Sequence, residues 1–200
     1  MNETNKFQLF RLLPALIALC LAACSPSAPE APPLAGASIG GPFTLTDQNG
    51  KRVSDKDFEG KYRLIYFGFS FCPDVCPVDL QNISRAMRQL EQEKPDVAAN
   101  LQPIFISVDP QRDTPDVLKP YVSAFHPRLI GLTGSPAEIA NVAKGYGAYY
   151  SKPEQGQPKD YLVDHSRIAL LFGPKGEPIA IVPHDKGVEA IASELKRWVK

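Results

Sequence analysis

Two nearly continuous apolar runs constrain the fold of this chain more than any other feature: YRLIYFGFS at 62–70 and LQPIFISVD at 101–109. Runs of this kind predict strands that are buried on both faces, as in a sheet covered by helices. The segment between them predicts a helix over 78–93, because its apolar residues share one helical face: Leu80, Ile83, Met87 and Leu90. A helix between two buried strands indicates an α/β fold.

Further elements are predicted on both sides of this unit. Asn49-Gly50 lies within an alternating segment and predicts a tight hairpin over 43–54. The remaining patterns predict, in chain order, a helix over 114–125 with a kink or break at Pro120, a strand over 128–132, a helix over 135–147, a polar loop or hairpin over 149–161, a strand, turn and strand over 166–183, and a closing helix over 187–200. This order predicts an α/β fold with a mixed sheet flanked by helices and an N-terminal hairpin.

The charge balance and the cysteine content exclude two broad classes of protein. The chain has 200 residues, with 22 Lys and Arg against 22 Asp and Glu, and no basic cluster. It therefore carries no electrostatic footprint for nucleic acid, and we expect no nucleic-acid partner. Four cysteines in a chain of this length are too few for a disulfide-dense scaffold.

The N-terminus has the pattern of an export signal. After Lys6 and Arg11, the segment 12–23 is an apolar run of twelve residues, whereas a membrane-spanning helix needs about 20. It predicts a signal peptide over 1–23. The junction LAAC at 21–24 resembles the lipobox of bacterial lipoproteins, which makes Cys24 the predicted lipidation site. An ordinary cleaved leader with an incidental Cys24 is the alternative.

The segment after the leader predicts a tether. Residues 24–39 are rich in Pro, Ala and Ser and lack periodicity, so we expect a semi-extended linker, followed by a domain over 40–200. Several acyl chains on Cys24 would anchor the protein stably to a membrane. The domain is then expected outside the cytoplasm, on the periplasmic side, where disulfides can persist.

Cys72 and Cys76 lie four positions apart, between a predicted buried strand and a predicted helix. As a structural disulfide they would close a very short loop and contribute only about 2 kcal/mol, so a redox pair or a metal clamp is favoured. Proximity to the positive end of a helix favours thiolate, which is both nucleophile and metal ligand. Because each cysteine precedes a proline, we expect a turn, with the helix starting near Pro77.

The choice of metal and of further ligands follows from the donor types. Two thiolates on a short turn suit Cu(I), which prefers soft sulfur ligands, whereas zinc usually takes four ligands. His126 is interpreted as a surface or capping histidine, His184 as an ordinary histidine in a turn, and Met87 as a core residue. His165 directly precedes a buried strand, at a place where sites form in α/β sheets, and the residues alone leave it open between ligand and structural histidine.

Four segments, taken together and in this order, resemble the Sco/SenC family of copper-binding assembly proteins for cytochrome c oxidase. They are FCPDVCP, FISVDPQRDTP, LIGLTGSPAEI and YLVDHSRIALLFGP, and the resemblance runs from about residue 40 to the C-terminus. It implies a thioredoxin-like fold on a membrane-anchored domain outside the cytoplasm. Carried over residue by residue, it implies copper ligands at Cys72, Cys76 and His165.

The resemblance also implies a function. It indicates a metallochaperone rather than an enzyme, which would carry a copper ion as Cu(I), with Cu(II) as a second candidate state. The implied partners are an upstream copper donor and cytochrome c oxidase subunit II, whose dinuclear copper centre would receive the ion. The oxidase is an inner-membrane enzyme, so we expect the inner membrane as the site of anchoring, although Ser25 is not the aspartate of the usual retention signal.

Thiol chemistry provides the alternative function. Cys72 and Cys76 could form a redox pair that keeps the cysteines of subunit II, or of other exported proteins, reduced. A general thiol–disulfide oxidoreductase fits less well, because the spacing is CxxxC rather than CxxC and no proline lies between Pro158 and Pro174. A peroxiredoxin does not fit, because Phe69 stands where its motif has threonine.

Two acidic features that match the family receive no ligand role. The segment DPQRD at 109–113 is one of them, and Asp164 is the other. Asp164 could orient the imidazole of His165 as a hydrogen-bond partner, or it could simply cap the end of a strand. The sequence leaves these two roles open.

Overall fold

A seven-stranded mixed sheet forms the centre of the fold in the computed structural model, which describes residues 30–152 and 161–200. The strands in this part of the chain are β1 (Thr44–Asp47), β2 (Arg52–Ser54), β3 (Tyr62–Gly68), β4 (Leu101–Ser107), β5 (Ile130–Thr133), β6 (Tyr150–Ser151), β7 (Asp164–His165), β8 (Ala169–Phe172) and β9 (Pro178–Ile181). The order in the large sheet is β2-β1-β5-β4-β3-β8-β9, while β6 and β7 form a separate ribbon. The pairs β3–β4 and β4–β5 are parallel and the others antiparallel.

Five α-helices accompany the sheet in the described residues. They are α1 (Val75–Glu93), α2 (Pro95–Asn100), α3 (Pro115–Phe125), α4 (Pro136–Gly145) and α5 (Val188–Trp198), with short 3-10 helices at Asp55–Phe58 and His184–Lys186. Helix α1 packs against α5, and α3 packs against β5. The predicted α/β class, a mixed sheet flanked by helices, is confirmed.

The core forms where the sequence is most apolar. Strand β3 lies between β4 and β8, and Ile65 pairs with Ile104 on one side and Leu170 on the other. A central strand of this kind is covered on both faces, which explains its lack of alternation. The predicted face of α1 is buried against this core, including Met87, which is 0% exposed. Full burial of each such aliphatic side chain contributes about 1.5–3 kcal/mol.

The N-terminal hairpin is confirmed. Strands β1 and β2 pair antiparallel, with Leu45 opposite Val53. The turn between them needs Gly50, whose φ is +80°, a conformation that residues with a Cβ rarely adopt. The Asp47 carboxylate accepts hydrogen bonds from the backbone N–H groups of Asn49 (2.8 Å) and Lys51 (2.9 Å), which closes the turn.

The first helix starts close to the predicted Pro77, but two residues earlier, so that it includes Cys76. Helix α1 begins at Val75, so Cys76 lies in its first turn and Cys72 in the turn before it. The first turn of a helix has no internal acceptors for its N–H groups, so the missing N–H of Pro77 costs nothing there. The restriction that proline places on Cys76 is weaker than the gain from continuing the helix.

Helix α3 runs without interruption from Pro115 to Phe125, so the predicted break at Pro120 is absent. Proline at this position removes the hydrogen bond to the carbonyl of Asp116. Both residues are exposed, so water can satisfy that carbonyl. The exposed position lets the helix tolerate a residue that would interrupt it in the core.

The start of the chain is described only in part. Residues 1–29, with the predicted signal peptide and Cys24, lie outside the described residues, as do 153–160 of the predicted polar loop. Residues from Pro32 to Lys200 belong to one compact unit, in which the Leu34 N–H donates to the Ile179 carbonyl at 2.9 Å. Part of the segment predicted as a tether therefore lies against β9. No helix among the described residues has the length and apolarity required for crossing a membrane.

Candidate metal centre

The two cysteines lie where the chain passes from β3 into α1. The N–H of Cys72 donates to the Phe69 carbonyl at 3.3 Å, which forms a tight turn after the strand. Cys72 is partly buried and Cys76 is buried, and both thiols are free. The backbone N–H of Cys76 points at the Cys72 sulfur at 3.5 Å, so the sulfur occupies the N-terminal end of the helix. The positive helix terminus stabilises negative charge at that position.

Gly68, the last residue of β3, provides the space for the second sulfur. A Cβ at this position would lie 2.9 Å from the Cys76 Sγ and 3.0 Å from the Phe105 ring. Only glycine therefore allows the helix to bring Cys76 this close to the strand. Sequence reasoning missed this residue, although a glycine inside an apolar strand is a signal of close approach.

His165 reaches the cysteines from the ribbon. It lies in β7, opposite Tyr150 of β6, and its Nε2 is 3.3 Å from the Cys76 Sγ. Its Nδ1 lies 3.2 Å from the Ser166 carbonyl. A proton on Nδ1 can be donated to that carbonyl, which leaves the lone pair of Nε2 directed at the cysteines. The Phe69 ring packs against the imidazole edge to face, with centroids 5.7 Å apart.

Cys72, Cys76 and His165 form one compact group of donors. Their ligand atoms all lie within 4.8 Å of one another, although His165 follows Cys76 by 89 residues in sequence. In the part of the chain that the structure describes, no other set of three His, Cys, Asp or Glu side chains forms such a group. Two sulfurs and one imidazole nitrogen fit a soft or borderline ion, and they fit copper in particular.

Burial controls the protonation of the group. Desolvation raises the pKa of the Cys76 thiol to about 12, so this residue is a thiol at neutral pH. Desolvation also lowers the pKa of His165, so its imidazole is neutral and available as a ligand. The sequence favoured thiolate at this place because of the helix terminus. At Cys76 desolvation acts in the opposite direction and is the largest influence on the pKa of the metal-free thiol.

The imidazole of His165 is oriented by the backbone rather than by Asp164. Asp164 is exposed in β7, opposite Ser151 of the ribbon. The group that faces Nδ1 is the Ser166 carbonyl. Of the two roles that the sequence left open for Asp164, a place at the strand end agrees with the structure, and direct orientation of the ring does not.

The DPQRD segment supports the cysteine loop from behind. Asp113 is fully buried and accepts hydrogen bonds from the Ser70 N–H (3.0 Å) and the Ser107 hydroxyl (2.5 Å). Asp109 is fully buried as well, and it accepts from the Lys152 ammonium and the Tyr161 hydroxyl, each at 2.8 Å. The segment therefore joins the loop after β3 to the end of β4 and to both flanks of residues 153–160.

Arg112, in the same segment, completes this support. Its guanidinium donates to Asp109 and lies over the ring of Tyr161, with 3.7 Å between the guanidinium carbon and the ring centroid. It also lies 4.8 Å from the ring centroid of Phe71, the residue directly before Cys72. Cation–π contacts of this kind hold aromatic side chains in place. The sequence assigned no ligand role to DPQRD, and the structure places it in the wall of the site.

The other two histidines lie outside the donor group, as expected. His126 is buried at the C-terminal end of α3, where its Nδ1 accepts from the Arg128 N–H at 3.2 Å. His184 is buried against Tyr66, with ring centroids 5.6 Å apart. Both rings are buried, and His126 is the C-cap residue of α3, which is one of the two roles expected for it.

Comparison with known proteins identifies relatives along most of the chain. The family model SCO1/SenC matches residues 31–200. "Protein SCO2, mitochondrial" from Saccharomyces cerevisiae is 43% identical over 167 residues, which cover 81% of this chain and 54% of that protein. "Protein SCO1 homolog, mitochondrial" from Homo sapiens is 42% identical over 157 residues, covering 78% of this chain and 52% of that protein. The chain thus spans about half the length of these curated relatives.

Solved structures show the same fold. Bradyrhizobium japonicum ScoI with copper bound has a TM-score of 0.71 and 45% identity, over 80% of this chain and 99% of that one. Yeast Sco1 with copper bound has a TM-score of 0.75 and 40% identity, over 81% and 88%. The thioredoxin domain of a Bacteroides vulgatus oxidoreductase matches at TM-score 0.57 and 17% identity, which confirms the thioredoxin-like fold alone. The chain belongs to the SCO1/SenC family.

Proposed function

We propose that this chain binds a copper ion through Cys72, Cys76 and His165 and delivers it during maturation of the dinuclear copper centre of cytochrome c oxidase. The observation that carries the proposal is the convergence of these three donors within 4.8 Å, from two segments far apart in sequence. It is supported by relatives whose solved structures contain copper. BsSco, a relative at 25% identity and TM-score 0.64, is a member of the Sco family of cytochrome c oxidase assembly proteins.

The donor set suits an ion that must be both held and released. Two thiolates stabilise Cu(I), and an imidazole nitrogen adds the donor type that Cu(II) prefers. Cys76 is buried, whereas Cys72 is partly buried and follows directly after the exposed Phe71. A partner's ligand can therefore approach from the side of Cys72, while Cys76 holds the ion from within.

The proposed partners are an upstream copper donor and subunit II of the oxidase. The proposed location is the periplasmic side of the inner membrane, with a signal peptide over 1–23, lipidation at Cys24 and a tether over 24–39. The leader sequence supports this location. A SCO1/SenC lipoprotein from Bacillus anthracis supports it as well, with 26% identity and a TM-score of 0.69.

Reduction of partner cysteines is the second candidate function. Cys72 and Cys76 are free thiols, with the Cys76 N–H only 3.5 Å from the Cys72 sulfur. A disulfide switch has been identified in BsSco. In this reaction two electrons and two protons pass to the partner's disulfide, and Cys72 and Cys76 become joined. Attack would begin from Cys72, since Cys76 is buried.

Copper titration of the reduced full-length chain tests both functions. We expect stoichiometric Cu(I) binding by the wild type and a large loss of affinity in Cys72→Ala, Cys76→Ala and His165→Ala. His126→Gln is the matched control, because His126 lies outside the donor group. If His165→Ala binds like wild type, the three-ligand site is wrong. A wild type that binds no copper but reduces protein disulfides would establish the second function instead.

A further inference from the structure

A buried ion pair joins the two segments that carry the proposed ligands. Asp79 lies three residues after Cys76 in α1 and is 0% exposed. Its carboxylate accepts from the Arg167 guanidinium twice, from Nε at 3.0 Å and from Nη2 at 2.7 Å. Arg167 lies two residues after His165 and 88 residues after Asp79 in sequence. The pair therefore crosses from the helix of the cysteines to the segment of the histidine.

The geometry of this pair makes it stiff. Two parallel N–H···O contacts fix both the distance and the orientation of the two side chains. The Tyr66 hydroxyl donates to the same carboxylate at 2.8 Å, and the His184 Nε2 lies 3.6 Å from it. Asp79 is thus held from the core side by β3 and from the surface side by Arg167. Displacing Arg167 would leave a buried carboxylate without its charge partner, which is strongly unfavourable.

His165 needs such support because its own strand is short. Strands β6 and β7 pair over two residues each and are separate from the seven-stranded sheet. A two-residue ladder alone is too small to hold a side chain rigidly in water. Ser166 extends the ribbon through hydrogen bonds with Tyr149, with 2.8 Å from the Ser166 N–H to the Tyr149 carbonyl. Arg167 adds the attachment that joins this segment to the helix of Cys76.

We propose that Asp79 and Arg167 are positioning residues, which hold the His165 imidazole against Cys76 and thereby set the third ligand of the copper site. The expected effect on copper affinity rests on the proposed function, whereas the positioning of His165 does not. Without the pair, the two sulfurs stay in place on the β3–α1 turn and the histidine moves independently. The site would then bind copper through two sulfurs only.

The test compares variants of the full chain that break the pair from either side. Arg167→Gln removes the charge from a side chain that is 40% exposed, and Asp79→Asn keeps the shape of the buried one. Arg167→Lys keeps the charge but cannot make the two parallel contacts. Its copper affinity should therefore lie between those of the wild type and Arg167→Gln. Arg52→Gln is the matched control, because it breaks another Arg–carboxylate pair, with Glu138, at an arginine that is 49% exposed.

The first measurement is Cu(I) affinity, by competition with a chromophoric chelator without oxygen. Loss of residues that orient a ligand typically lowers metal affinity about 10–100-fold, and we expect this for Arg167→Gln and Asp79→Asn. X-ray absorption at the copper edge should then change from a three-coordinate to a two-coordinate form. In a His165→Ala background, Arg167→Gln should change the affinity by less than about twofold, since the two act through one contact. An equal loss in that background would overturn the proposal.

The second measurement needs no metal. In histidine-labelled, metal-free protein, the His165 ring resonances should shift and broaden in Arg167→Gln and stay unchanged in Arg52→Gln. Unchanged His165 resonances in Arg167→Gln overturn the inference, whatever the copper data show. If the wild type binds no copper while these resonances move as expected, the proposed function fails and the positioning role stands. Moved resonances with unchanged Cu(I) affinity would remove the role in copper binding.

Discussion

Gly68 and Cys76 share a space that has no room for one additional methyl group. A Cβ on Gly68 would lie 2.9 Å from the Cys76 sulfur, 3.0 Å from the Phe105 ring and 3.1 Å from the Tyr66 ring. Contacts this short on three sides leave no direction in which a methyl group could be accommodated. The end of β3 and the first turn of α1 are therefore fitted to each other at the proposed copper ligand.

Gly68→Ala should displace the Cys76 sulfur and weaken copper binding. Overpacking of a dense interior costs about 1–3 kcal/mol in free energy of unfolding. Chemical denaturation measures that loss, and Cu(I) competition measures the affinity. Gly131→Ala is the matched control, because its Cβ would lie 2.8 Å from Val122 in the contact between α3 and β5, away from the cysteines. It should cost similar stability and leave copper affinity unchanged. Equal affinity losses in both variants would contradict this account.

The two cysteines should differ strongly in reactivity. Cys76 is buried, and its pKa is raised to about 12 by desolvation, so very little thiolate forms near neutral pH. We expect iodoacetamide to modify Cys72 first in the reduced, metal-free chain, with the rate at Cys76 still rising above pH 9. Peptide mapping by mass spectrometry at several pH values measures both rates. Comparable rates for the two residues at pH 8 would show that Cys76 is accessible and ionised.

The ion pair between Arg52 and Glu138 should make stability depend on acid pH. The Arg52 guanidinium and the Ser135 N–H lower the pKa of Glu138 to about 2, from 4.5 in the unfolded chain. Because the folded pKa is the lower one, the stabilisation is present above pH 4.5 and disappears as the pH falls towards 2. Both side chains are substantially exposed, so Glu138→Gln should cost no more than about 1 kcal/mol at pH 7.

Urea unfolding of wild type and Glu138→Gln at pH 7, 5 and 3 tests this dependence. The difference between the two proteins should be largest at pH 7 and smallest at pH 3. Arg52→Gln should reproduce the loss at pH 7, since it removes the other member of the pair. A difference that stays constant across this range would assign the loss to the helix cap at Ser135 and not to the charge.

Removal of the Asp109 carboxylate should lower the free energy of unfolding, because this side chain holds the DPQRD segment beside the donor group. Asp109→Ala leaves the Lys152 and Arg112 cations without their shared acceptor, and breaking a buried pair costs about 3–5 kcal/mol. Thermal and urea unfolding measure the loss. Asp116→Ala, at an exposed acidic residue of α3, should change stability by less than about 0.5 kcal/mol. A loss at Asp109 as small as that at Asp116 would mean that the cluster contributes nothing to stability.

The sequence predicted the features of this protein that are local in the chain. The apolar runs that became β3 and β4, the helical face with Met87 and the Asn49-Gly50 turn each depend on neighbouring residues. The resemblance to a family supplied His165, which no local pattern could assign. The structure agrees with the predicted position of each of these features.

The features that were missed depend on contacts between distant residues. The ion pair of Asp79 and Arg167 spans 88 residues, and no pattern in the sequence pairs these two residues. The protonation of Cys76 depends on burial, which the helix-terminus argument did not include. The place of Cys76 in the first turn of α1 was missed because proline rules describe average preferences, and the first helical turn is where they are weakest.

The separation of the ribbon from the large sheet bears on whether the protein folds before or after it binds a metal. The hydrophobic core is formed by the strands of the large sheet and their helices, and Cys76 is the one proposed ligand that belongs to it. In small metal-dependent domains, by contrast, the ion itself supplies the free energy of folding. We therefore expect the metal-free chain to fold, and binding or release of a metal to leave the large sheet and its helices unchanged.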